Sequence, residues 1–157
     1  MMTRLLAAGL ILCSCFEIRR ALPLLATRAP NAAVNLAVST LLWTSLGVDV
    51  LLYMLLLLVP VIGGAFPGAV HFGARRLSDY TPSQLGRVMP VLKRMVGILC
   101  CVVALIFGTE IHLRIRYALV DIRKQPPTLA LYLLLPLCIL LISWYFVQRM
   151  DEAAQWD

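Results

Sequence analysis

A chain of 157 residues that is 61% hydrophobic and 14% charged, with a mean hydropathy of +0.88, lies outside the range of soluble domains, where about a quarter of residues are charged. Its formal charge of +6 resides in short basic clusters between apolar runs, where the positive-inside rule and anionic headgroups place them. No basic stripe interleaved with aromatics appears, which argues against nucleic acid as a partner. At this length one domain is expected: an all-α, integral membrane helical bundle of about four transmembrane or interfacial helices, with the lipid bilayer as its first partner.

Residues 5–16 form a short apolar run, which Glu17, Arg19 and Arg20 interrupt before apolar residues resume. A cleaved signal peptide is one reading, with Arg4 as its basic region. Leu12-Cys13-Ser14-Cys15 approaches a lipobox, with Cys atypical at its second position. The expectation is a retained first span over residues 5–23, its charges snorkelling or paired.

Residues 27–49 are mildly apolar but carry Asn31, Asn35, Ser39, Thr40, Thr44 and Ser45. So many polar groups suit a lipid-facing helix poorly, and the segment reads as an interfacial cap. A hairpin into a second span would have to turn through residues 46–49, which Gly47 permits. Asn35, Trp43 and Asp49 are its candidate functional residues.

Residues 50–70 contain no charge, and 21 residues at the helical rise reach roughly 31 Å, about one hydrocarbon thickness. This is the clearest span in the chain. Pro60 and Pro67 should kink it, and Gly64 and Gly68 stand in the GxxxG spacing that lets helices approach closely.

Residues 71–94 are the polar connection. Thr81, Pro82 and Gln84 make a helix start, with an N-cap hydroxyl, Pro at the first helical position and a capping-box partner. Leu85, Val88, Met89 and Leu92 then repeat with helical period, predicting an amphipathic helix at headgroup level that bends at Pro90.

The third span covers residues 95–113 and ends among Glu110, His112, Arg114 and Arg116. Glu110 and Arg114 are four apart, in the favourable order for an ion pair. An intramembrane carboxylate is a functional candidate by default, so Glu110, His112 and Arg114 are singled out. The simpler reading is a solvated pair at the helix end, in which case Glu110→Gln should matter little. A short basic connection over residues 117–125 leads through Pro126-Pro127 to the last span, residues 128–147. Pro136 should kink that span, and Trp144, Tyr145 and Phe146 form an aromatic belt at its end. A frayed tail is expected from residue 148 onward.

With four spans, Arg4, Arg75, Arg76, Arg87, Lys93, Arg94 and Arg149 share one side, and seven further basic residues the other. The count is tied; the side of the 71–94 loop is expected to be cytoplasmic because its five charges cluster beside two spans. His71 and His112 end successive antiparallel spans and so belong to opposite faces, which rules out a shared haem or metal between them. Cys13, Cys15, Cys100, Cys101 and Cys138 show no C-x-x-C pairing and behave as small hydrophobes in apolar runs. No nucleophile elbow, zinc-protease motif or P-loop is present. No cofactor, no metal and no enzymatic activity are expected.

Val34-Asn35 followed by Trp43 and Ser45, together with the stretch RRLSDYTPSQ over residues 75–84, resembles the small bacterial membrane domain of SdpI-type toxin-immunity proteins. In that family an aromatic-Asn pair precedes a Gly-x-x-Asp-Gly-Trp-x-Ser stretch, and a basic turn precedes an aromatic, a Pro and a helix. Ala33 and Thr40-Leu41-Leu42 stand here in place of the family's His, Gly and Asp. The resemblance implies four spans in a bacterial inner membrane and a non-enzymatic protein acting through protein or lipid contacts. The alternative is an accessory subunit of a larger membrane complex.

Overall fold

The computed structural model describes residues 2–29, 31–72, 75–121 and 126–155. Four long helices follow one another: α1 (Met2–Arg28), α2 (Ala32–Ala65), α3 (Pro82–Val120) and α4 (Leu129–Gln155). Between α2 and α3 lie a 3₁₀ turn over Pro67–Ala69, a two-residue antiparallel ladder of β1 (His71–Phe72) with β2 (Arg75–Arg76), and a second 3₁₀ turn over Leu77–Asp79. The chain is thus an all-α bundle. α2, α3 and α4 are each long and apolar enough to cross a membrane, which makes this a multi-pass membrane protein whose apolar helices suit contact with a bilayer.

α3 is the central helix, packed by each of the other three. Thr3 lies against Gly97, Ser14 against Gly108, and Glu17 against His112, so α1 runs parallel to α3. Gly63 of α2 approaches Leu92 and Ser45 approaches Glu110, so α2 runs antiparallel to α3. Gln84 at the start of α3 reaches Ala154 at the end of α4, completing an up-down-up-down order.

Several boundaries differ from the sequence expectation, each for a local reason. Residues 27–49 are not a separate cap. Asn31 accepts a hydrogen bond from the Val34 amide as N-cap of α2, and the helix then runs unbroken through residues 46–49. Its polar residues do not interrupt it, because Ser39 and Thr44 donate to carbonyls of their own helix, those of Leu36 and Thr40, at 2.9 and 2.8 Å. With 34 residues, α2 extends about 51 Å, well beyond one hydrocarbon thickness. Its N-terminal part is therefore a helical extension of the span. Leu42 and Leu46 bury there with Ile18, Ala21 and Leu25 of α1 and Ile111, Ile115 and Ala118 of α3.

The central span likewise ends earlier than residue 70. α2 stops at Ala65, and Pro67 begins the following 3₁₀ turn rather than kinking a helix. Gly64 and Gly68 consequently lie in different elements, and neither is a close-packing position: a Cβ on Gly64 would meet no atom within 4 Å, and one on Gly68 only Ser78 Oγ at 4.0 Å. The close approach is made one residue earlier. A Cβ on Gly63 would lie 2.9 Å from Leu77 Cδ1, and Leu77 is wholly buried.

The helix start at Thr81 forms as expected, with Thr81 Oγ1 accepting from the Gln84 amide and Gln84 Oε1 accepting from the Thr81 amide at 3.0 Å. From there the amphipathic stretch and the third span make one helix of 39 residues, with Pro90 inside it. Val88, Leu92, Met95 and Val96 are buried in the main core with Phe146 and Met150 of α4. Of the expected connection over 117–125, residues 117–120 belong to α3, and residues 122–125 lie outside those described. The tail does not fray at residue 148. α4 continues to Gln155 because Met150 and Ala154 bury against the first turns of α3, and the Ala154 carbonyl accepts from Gln84 Nε2 at 3.0 Å.

Candidate functional site

The polar groups singled out in the sequence distribute unevenly over this frame. Glu110 is the largest correction. It is 1% exposed, not solvated at a helix end. The Arg114 pair is present, with Nε donating to Glu110 Oε1 at 2.7 Å. The same oxygen accepts the Tyr132 hydroxyl of α4 at 2.5 Å and lies a long 3.5 Å from Ser45 Oγ of α2. Arg114 Nη2 also donates to the Tyr132 hydroxyl, at 3.2 Å. Three helices therefore meet on one carboxylate. Its charge is balanced by a guanidinium whose side chain is 15% exposed, and charge-assisted bonds of this kind are the stronger ones.

Asp49 lies near the midpoint of α2 and is fully buried. Neither of its oxygens has a hydrogen-bond partner among the described residues. Buried polar side chains are normally satisfied, so this carboxylate is an exception that needs a reason. It sits four residues from Ser45 and four from Tyr53. At its outer end this row meets Glu110 through Ser45. At its inner end the Tyr53 hydroxyl donates to the Arg4 carbonyl at 3.3 Å.

His112 does not join the Glu110 group. It faces α1, with Nδ1 2.5 Å from Glu17 Oε1 and both side chains partly exposed. The pair closes one end of a 250 Å³ groove between α1 and α3, lined by Leu10, Cys13, Ser14, Gly108 and Thr109. His71 belongs to β1 at the other end of the bundle. Asn35 is half-buried and Trp43 is 42% exposed on the N-terminal extension of α2, and neither takes part in the carboxylate network. All five cysteines are free, and no group of three or more metal-binding side chains assembles among the described residues.

Three contacts escaped the sequence reading. Tyr132 stands near the start of an uncharged apolar run, where a tyrosine ordinarily signals an interfacial aromatic. Glu17 lies 95 positions from His112, so no local spacing joins them. Arg28 is a third case: its guanidinium donates to the Leu119 carbonyl, satisfying one of the last acceptors of α3.

Compared with known proteins, the chain matches no family model, no curated relative and no solved structure.

Proposed function

We propose that this chain is a non-enzymatic protein of the bacterial inner membrane that acts by contact with another membrane protein, in the manner of the SdpI-related domain it resembles. The observation that carries the reading is α4. Only 6% of the residues in its apolar stretch are buried inside the bundle, against 56% in that of α3. Leu133, Leu137, Leu140 and Trp144 are all more than half exposed, at spacings of three and four that form one stripe. Lipid alone can cover such a face, but the same spacing suits a partner helix packing knobs into holes.

A photo-crosslinking residue at Leu137 or Leu140, introduced into the full chain in native membranes, tests this. A discrete protein adduct is expected at both positions and not at the exposed Leu105 of α3. Adducts with lipid alone at both α4 positions would overturn it. The same exposure of α4 also favours the accessory-subunit reading, and solo expression separates the two. A self-standing protein stays monodisperse, with a cysteine placed at exposed Thr40 open to labelling. A subunit aggregates or is degraded without its partner, because an uncovered apolar face loses its packing.

A further inference from the structure

Three residues of α2 recur at four-residue spacing on its inner face: Ser45, Asp49 and Tyr53. Consecutive members are about 6 Å apart along the axis. The outer member touches Glu110, which is linked in turn to Arg114 and Tyr132, and Tyr132 is 44% exposed. The inner member bonds the backbone of Arg4. The middle member is a carboxylate at 0% exposure with both oxygens unpartnered among the described residues. We propose that Asp49 is an intramembrane proton-binding site, set on a polar row that leads towards the Glu110–Tyr132 end of the bundle.

The chemistry of the surroundings selects a proton among the cations. An ionised carboxylate buried without a hydrogen bond is among the costliest arrangements in a protein, and cationic company is the usual remedy. Among the described residues, no titratable or charged group of the neighbouring helices is hydrogen-bonded to Asp49. On α1, Glu17 is held by His112, and Arg4 meets the row through its backbone carbonyl. On α3, Glu110 and Arg114 hold each other, while Cys100 and Cys101 are thiols. On α4, Tyr132 is bonded to Glu110. A metal ion would need a shell of several oxygens, and no cluster of three metal-binding side chains exists among the described residues. A proton needs one lone pair. It comes from water at a membrane face, forms an O–H bond on one Asp49 oxygen and leaves by the reverse step; no other bond changes.

The test is infrared difference spectroscopy on the full chain reconstituted in lipid vesicles, recorded across a pH series at fixed salt. The expected result is a protonated-carboxyl band that responds to pH. It is lost in Asp49→Asn, displaced in Asp49→Glu and retained in Glu110→Gln. If Asp49→Asn fails to fold, displacement of the band in Asp49→Glu identifies the site by itself. Exchanging sodium for choline at constant pH should leave the band unchanged. A spectrum without a pH-responsive band attributable to residue 49 would overturn the proposal. So would a band lost in Glu110→Gln and kept in Asp49→Asn, or one that follows sodium and ignores pH.

Discussion

Removing the charge of Glu110 strands Arg114. The two are joined at 2.7 Å with side chains 2% and 15% exposed, and breaking a buried pair from one side leaves the other charge uncompensated. For fully buried pairs that costs about 3–5 kcal/mol; the partial exposure of Arg114 lowers the expectation for Glu110→Gln to about 2–3 kcal/mol. This reverses the expectation drawn from the i,i+4 spacing alone. The double variant Glu110→Leu with Arg114→Met should be less destabilised than Glu110→Gln, because it removes both charges together. Unfolding of the three proteins in the same lipid or detergent decides the matter, and a neutral Glu110→Gln would show the network to be energetically idle.

The packing of α2 against the turn before α3 depends on Gly63, not on its neighbours in GxxxG spacing. Adding a methyl group at Gly63 places it 2.9 Å from Leu77 Cδ1, so the Leu77 side chain, which is fully buried, must shift within the packed core. Gly63→Ala should therefore destabilise by about 1 kcal/mol or more, as overpacking does. Gly64→Ala meets nothing within 4 Å and removes a flexible residue from a helix. It should be neutral or stabilising by up to about 1 kcal/mol. Opposite signs for adjacent glycines are the signature to look for in thermal unfolding, and equal effects would contradict the packing described. The same logic explains why a small-residue pattern misleads when read in isolation. Spacing places two glycines on one helix face only if one helix carries both, and Pro67 follows the end of α2 before Gly68 is reached.

For the whole molecule, the up-down-up-down order makes a topological prediction. Asp79 lies in the turn between α2 and α3, and Asp121 caps the far end of the 39-residue α3. Reporter fusions at the two positions should therefore report opposite sides of the membrane. The same side for both would mean that α3 does not cross, and the membrane assignment would fall with it. α3 at about 58 Å is nearly twice a hydrocarbon thickness, so a substantial part of it stands outside the bilayer. The second core around Leu42, Ile111 and Ile115 packs the C-terminal half of α3 against α1 and α2.

What the sequence determined by itself is the class and the strongest local signals. Sixty-one per cent hydrophobic composition with only 14% charged residues points to lipid-facing helices. Uncharged runs reveal spans because the bilayer excludes unpaired charge, and the capping box at Thr81 forms because its hydrogen bonds close within four residues. The i,i+4 pair of Glu110 with Arg114 was legible for the same reason. Its burial was not, since that depends on Tyr132 and Ser45, which are 22 and 65 positions away. Whether residues 46–49 turn or continue as helix was equally open, because Gly47 permits both and only packing against α1 and α3 chooses. Asp49 makes the point most sharply: as a letter it closes a polar stretch, and only the surrounding helices make it a buried carboxylate without a hydrogen-bond partner among the described residues.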